Sequence, residues 1–206
     1  SKLTITKAGA FTVTVKTAAQ GLYAPGTKTV TLTVNKGTGA ASVTMEGWTY
    51  GGIANTPVPS SVTNGTGNVT YLYESVDEAG YSSENVPTDA GCYRVTAVFG
   101  ENDLYNSVTA SAVFDIAKAA ANLSVSAVAE KTYGDAAFTL EISKDSDGGL
   151  SFESSDETVA VVENGEVSIV GAGTAAITVK AAETANYLGG EVSVTITAVK
   201  KDAALT

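Results

Sequence analysis

Gly173-Thr174-Ala175-Ala176-Ile177-Thr178-Val179 and, a short break later, Ser193-Val194-Thr195-Ile196-Thr197-Ala198 decide the fold. Apolar residues recur at every second position: Ala175, Ile177 and Val179, then Val194, Ile196 and Ala198. A period of two sends alternate side chains to opposite faces of a strand. The stretch therefore reads as an antiparallel pair with one buried and one solvated face. The same pairing recurs upstream, in Phe11-Val13-Val15 with Val30-Leu32-Val34 and in Tyr93-Val95-Ala97 with Ala112-Phe114-Ile116. The chain of 206 residues holds 28 Thr and 25 Val, residue types that suit a pleated, half-buried surface.

These pairs are copies of one another. Tyr23, Tyr105 and Tyr187 stand at equal intervals, and each is followed by a lysine at the same distance: Lys36, Lys118 and Lys200. Gly9, Gly91 and Gly173, each after an Ala, keep the same register, as do Thr14, Thr96 and Thr178. A repeat of about 82 residues marks a tandem array of supersecondary units. The expected division is the C-terminal part of one module at 1–36, complete modules at 37–118 and 119–200, and the start of another at 201–206. The joints Asn35-Lys36-Gly37 and Ala117-Lys118-Ala119 are short, which predicts a semi-rigid string.

The Ala-Gly pair before each strand pair suits a turn that needs positive φ. Further turns are expected at Asn64-Gly65, Asp147-Gly148 and Asn164-Gly165. Several short strands and frequent turns in each module predict an all-β chain of tandem immunoglobulin-like β-sandwich modules.

Composition removes whole classes of chemistry. The chain has no His, which excludes an imidazole base or a His-ligated metal. One Cys, Cys92, excludes an intrachain disulfide and a CxxC site. With 22 acidic against 12 basic residues the chain is a poor partner for nucleic acid. No apolar run is long enough to span a membrane, and the residues after Ser1 do not read as a signal peptide. The charge is uneven. Residues 1–36 carry five Lys and no acid, 37–118 carry two basic and nine acidic groups, and 119–206 carry five and thirteen.

The third module resembles a group 2 bacterial immunoglobulin-like domain. The residues that carry the resemblance are Ser154-Ser155-Asp156-Glu157-Thr158-Val159-Ala160-Val161-Val162, Asn164-Gly165-Glu166-Val167 and Gly171-Ala172-Gly173-Thr174 leading into the strand. Residues 1–36 are similar to the tail of the same domain type, with Lys7 in place of the first glycine. The middle module resembles the YGX-type (MBG) repeats, through Tyr50-Gly51 and Val86-Pro87-Thr88-Asp89-Ala90-Gly91-Cys92-Tyr93-Arg94-Val95. The resemblance implies a large secreted or wall-attached bacterial protein, with no catalytic residues and no cofactor to transfer.

Candidate sites each admit a structural reading beside the functional one. Trp48, Tyr50, Tyr71, Tyr73 and Tyr81 form either a flat platform for a surface glycan or host matrix protein, or part of a sandwich core. The shared tyrosines Tyr23, Tyr105 and Tyr187 either pack across the last two strands or belong to a binding surface. Asp145-x-Asp147-Gly148 resembles the start of a calcium loop but lacks the later ligands; Asp77-Glu78 and Glu101-Asn102-Asp103 read as solvated acidic turns. The shared lysines stand at module ends, a poor place for a buried isopeptide bond. Residues 1–36 are too short to bury a core alone, so they are expected to associate with another chain or stay poorly protected. No enzyme is expected. The expected role is a structural or adhesive stalk at a bacterial surface or in a secreted protein, with ligand binding by the middle module as the alternative.

Overall fold

In the computed structural model, residues 2–77 and 80–202 are described. Residues 203–206 of the expected further module, and Glu78 of the acidic turn, lie outside them. Every regular element among the described residues is a strand.

The first hairpin is formed by β1 (Gly9–Thr17) and β2 (Gly26–Val34). Its register runs Gly9↔Val34 to Thr17↔Gly26 without a break. Then follow β3 (Ser42–Thr44), β4 (Trp48–Thr49), β5 (Val58–Ser60), β6 (Val69–Ser75), β7 (Ser82–Ser83), β8 (Gly91–Phe99) and β9 (Val108–Ala117). The last set is β10 (Ser124–Val125), β11 (Lys131–Thr132), β12 (Phe138–Thr139), β13 (Ile142–Ser143), β14 (Leu150–Ser154), β15 (Ala160–Glu163), β16 (Glu166–Ile169), β17 (Gly173–Ala181) and β18 (Gly190–Val199). β1, β8 and β17 begin at Gly9, Gly91 and Gly173, and β2, β9 and β18 begin at Gly26, Val108 and Gly190. Both sets of starts keep the interval that separates the shared tyrosines.

The chain forms two compact units. The first holds Ser1–Gly47, Ala54–Pro87 and Cys92–Asp115; the second holds Trp48–Ile53, Thr88–Gly91 and Ile116–Thr206. These units do not follow the expected boundaries at 36/37 and 118/119.

The second unit holds a β-sandwich. One sheet has the order β11-β18-β17-β14 and the other β12-β16-β15. Ala175, Ile177, Val179, Val194, Ile196 and Ala198 point from the first sheet into one core. Leu140, Val159, Ala160, Val167 and Ile169 meet them from the other side. Fully burying a valine or isoleucine side chain contributes about 1.5–3 kcal/mol, so the alternating pattern sets which face turns inward. The β15–β16 turn is Asn164-Gly165, both residues at positive φ (50° and 85°). That is the geometry for which the Asn-Gly pair is suited in a two-residue hairpin.

In the first unit β6 pairs with β8 so that Tyr71 faces Ala97 and Tyr73 faces Val95. Val43, Ala97 and Phe99 are buried together, with Tyr71, Val108, Ala110 and Ala112 packed against them. The hairpin of the same unit has the same alternation but little cover. Val15 is 56% exposed and Val30 53%, whereas Val179, two repeats after Val15, is 0% exposed.

Candidate interaction surfaces

The loop before the last strand of each repeat is built alike. In the first unit the Asn102 side chain accepts from the Leu104 and Tyr105 N–H groups, both at 2.9 Å. In the second, the Thr184 hydroxyl accepts from the Tyr187 N–H at 3.2 Å. Short polar side chains that bond their own following backbone hold such turns in shape. Asn102 N–H donates to the Tyr105 carbonyl and Thr184 N–H to the Tyr187 carbonyl, each at 3.0 Å.

Each loop then holds the chain that enters its repeat. Gly37 N–H donates to the Leu104 carbonyl at 2.7 Å, and Asn106 N–H returns a bond to Gly37 at 3.0 Å. In the second unit Ala119 N–H donates to Asn186 at 2.9 Å, and Leu188 N–H returns to Ala119 at 2.8 Å. These close parallel bridges Gly37↔Tyr105 and Ala119↔Tyr187. A salt bridge flanks each: Lys36 to Glu101 at 3.0 Å and Lys118 to Glu183 at 2.6 Å. Lys118 also donates to the Thr184 carbonyl at 2.7 Å. A third contact comes from the turn before the strand pair. Ala8 N–H donates to the Asp103 carbonyl at 3.0 Å, and Ala90 N–H to the Asn186 side chain at 2.8 Å.

The shared tyrosines thus do not lie across the last two strands. They sit in the loop between them, with Tyr105 against Gly37 and Tyr187 edge-on to Tyr50 at 5.4 Å. Sequence reasoning read Glu101 as part of a solvated acidic turn, without its lysine partner, and missed Glu183. Their shared repeat register was the available signal, hidden because the first copy of the loop has Ala19 at that place. Lys36 and Lys118, partly exposed and ion-paired, are not the buried amines an isopeptide bond requires.

The five candidate platform aromatics are divided between the two units. Tyr73 is 3% exposed, with its ring edge-on to Phe114 at 6.3 Å. Tyr93 stacks on Phe114 at 5.8 Å, and Tyr81 meets Tyr93 edge-on at 5.7 Å. Positions 71 and 73 turn inward because they pair across from the buried Ala97 and Val95, so the Tyr73 ring is closed to a sugar. Burial, then the neighbouring Tyr71 and Tyr81, pushes the Tyr73 phenol above its usual value. Tyr71, Tyr73 and Tyr81 belong to the first unit and Trp48 and Tyr50 to the second. Trp48, half-buried, lies in β4, which pairs with the end of β9 at Trp48↔Ile116.

At Asp145-x-Asp147-Gly148, the Lys144 ammonium takes the Ser146 and Gly148 carbonyls, at 2.7 and 2.5 Å, and Asn122 donates to Asp145 at 2.7 Å. A lysine cation thus occupies the loop's carbonyl oxygens. Among the described residues no group of three or more His, Cys, Asp or Glu is placed to hold a metal. No helix there is long and apolar enough to cross a membrane. Cys92 is half-buried, and its hydrogen bond to Asp115 together with burial raises its thiol pKa.

A last surface is apolar. Leu3, Ile5, Phe11, Val13 and Leu32 line a cavity of about 230 Å³ on the hairpin, and Leu3 is 63% exposed.

Residues 138–183 match the family described as "Intimin, immunoglobulin-like domain". This stretch is similar to an intimin module. It contains β12 to β17, most of the core of the second unit. No curated protein matches the chain. Among solved structures it is similar to fibronectin(III)-like modules of Clostridium thermocellum CbhA. That likeness has 14% identity and a TM-score of 0.30, over 80% of this chain and 99% of the other. The all-β sandwich of the second unit and the intimin match over 138–183 support an Ig-like domain there.

Proposed function

We propose that this chain is a non-catalytic stretch of a bacterial surface or secreted protein, in which Ig-like repeats of constant length form a stalk or spacer. The observation that carries it is the grip of loop on entering chain, made twice with the same partners in the same register. A joint built from an ion pair, two backbone bonds and a turn contact spaces repeats at a constant step. The group 2 identity of the third repeat and the MBG-like identity of the middle one are part of this proposal, on the motifs quoted above.

The partners proposed are a surface glycan or host matrix protein for the middle repeat, and a second copy of the chain for residues 1–36. The glycan alternative loses Tyr73 to the interior and keeps Trp48, Tyr50, Tyr71 and Tyr81, all half-buried. The exposed apolar face of β1 and β2 supports self-association. Small-angle scattering on chains lengthened by one and two further copies of residues 119–200 tests the stalk. A constant increase in maximum dimension per copy is expected; a dimension that levels off as copies are added overturns it.

A further inference from the structure

In the third repeat the entering chain runs parallel to the last strand and is tied to it twice. The first tie is the bridge of Ala119 and Tyr187, just before β18. The second is at the end of β18, where β11 lies beside it with Lys131↔Ala198 and Thr132↔Val199 in register. Tyr133 N–H then donates to the Val199 carbonyl at 2.8 Å. There the chain turns away: Asp135 N–H closes on the Thr132 carbonyl at 3.0 Å, with Gly134 at φ +90°. The middle repeat has the same bonds. Gly37 and Tyr105 form its first tie. Trp48↔Ile116, Thr49↔Ala117 and the Tyr50 N–H on the Ala117 carbonyl at 2.8 Å form its second. Gly52 N–H closes the turn on the Thr49 carbonyl at 2.9 Å, with Gly51 at φ +75°. Each Tyr-Gly pair, at 50–51 and 133–134, thus makes the last bond of a parallel run and ends it.

We propose that this parallel pairing is a shear clamp, by which the repeats carry tension along the chain. The proposal rests on the stalk reading above and adds a load-bearing role to it. Tension reaches the third repeat at Ala119, pulled toward the N-terminus, and leaves it after Val199, pulled toward the C-terminus. In a parallel pair these two points lie at opposite ends, so the load slides the strands lengthwise, across their hydrogen bonds. The bonds at Ala119, β11 and Tyr133 are then stressed together. An antiparallel pair such as β17 and β18 has its open ends opposite each other, at Gly173↔Ala198. A load applied there parts one residue pair at a time. Successive clamps nearly abut. Ala117 ends one tie and Ala119 begins the next, with Lys118, ion-paired to Glu183, between them. The load passes from clamp to clamp through a single residue and no slack linker.

Single-molecule stretching of the full chain at constant load, held through its two termini, tests this. Forced unfolding follows the unfolding rate, and a substitution changes that rate only where its contact breaks before the barrier. Two extensions of one repeat's length are expected. Tyr133→Pro removes the N–H of the second tie. Position 133 is the second residue of a turn with type II geometry, where proline is accepted, so the fold is kept. The wait for one of the two extensions is expected to shorten about threefold to tenfold. Val167→Ala, at a 0% exposed position in the opposite sheet, is expected to lower the urea midpoint and leave both waits unchanged. A second measurement leaves every tie intact. The chain with Cys92→Ser is held through Ala172→Cys and Lys200→Cys, both exposed positions. Load applied there peels β17 from β18, and the wait at the same load is expected to be about tenfold shorter. Waits that shorten with Val167→Ala as much as with Tyr133→Pro, or that are equal in the two pulling directions, overturn the clamp. The constant step per repeat measured by scattering, and with it the stalk, would still stand.

Discussion

The Lys118 ammonium lies 2.6 Å from the Glu183 carboxylate, and Lys36 meets Glu101 in the same register one repeat earlier. The two pairs have the same separation along the chain, and both tie the start of a repeat to the loop before its last strand.

These pairs are partly solvated, with side-chain exposures of 33% and 61% for Lys118 and Glu183. Their coupling energy is therefore expected at about 0.5 kcal/mol, falling with salt. A double-mutant cycle of Lys118→Met and Glu183→Gln in urea unfolding measures it. A coupling of several kcal/mol, or one indifferent to salt, contradicts the assignment of a solvated pair.

Repeat-related positions are expected to respond unequally. Val179→Ala removes a side chain that is 0% exposed and should cost about 2 kcal/mol, while Val15→Ala at the matching position, 56% exposed, should cost under about 0.5 kcal/mol. Urea midpoints of the two variants make the comparison; equal losses would show that the hairpin face is covered in solution.

Gly173 adopts φ +150°, and a Cβ there would meet Val159 Cγ2 at 2.8 Å. Gly173→Ala is expected to lower stability by about 1–3 kcal/mol. Gly149, where a Cβ meets nothing within 4 Å, is the control. A Gly173→Ala variant as stable as Gly149→Ala would mean that the turn relaxes freely.

The Asp156 carboxylate accepts from the Thr158 hydroxyl at 2.6 Å and the Thr158 N–H at 2.9 Å, and both bonds hold its pKa below the ordinary value. A carboxyl lowered in the folded state adds stability that is present above its unfolded pKa and lost as pH falls through the folded one. In an NMR titration its midpoint should lie below that of an unstructured Asp, and Thr158→Val should raise it part of the way back. An Asp156 midpoint unmoved by Thr158→Val would remove the hydroxyl from the explanation.

Much of the fold was legible from local pattern. The period-two runs at 93–97, 112–116, 175–179 and 194–198 are strands with the expected faces inward, and Asn164-Gly165 is the expected hairpin turn. Alternation works because a strand pleats regardless of its partner. The loop grips were legible only in part. Tyr105, Tyr187, Lys36 and Lys118 stood out as repeated letters, but their role depends on Glu101 and Glu183, distant in sequence and adjacent only after folding.

The residue alternation, the repeat register and the absence of His belong to the chain before it folds, since each depends on neighbours in sequence or on composition alone. Tertiary packing decided which equivalent face is covered and which aromatic is lost to the core. Val179 is sealed because a second sheet carrying Ala160 and Val167 lies opposite its own. Val15, with the same letter in the same register, stays in solvent. Tyr73 turns inward on Phe114, although its sequence neighbourhood suited a surface platform equally well. Burial is a property of what lies across the core, and no local pattern contains it.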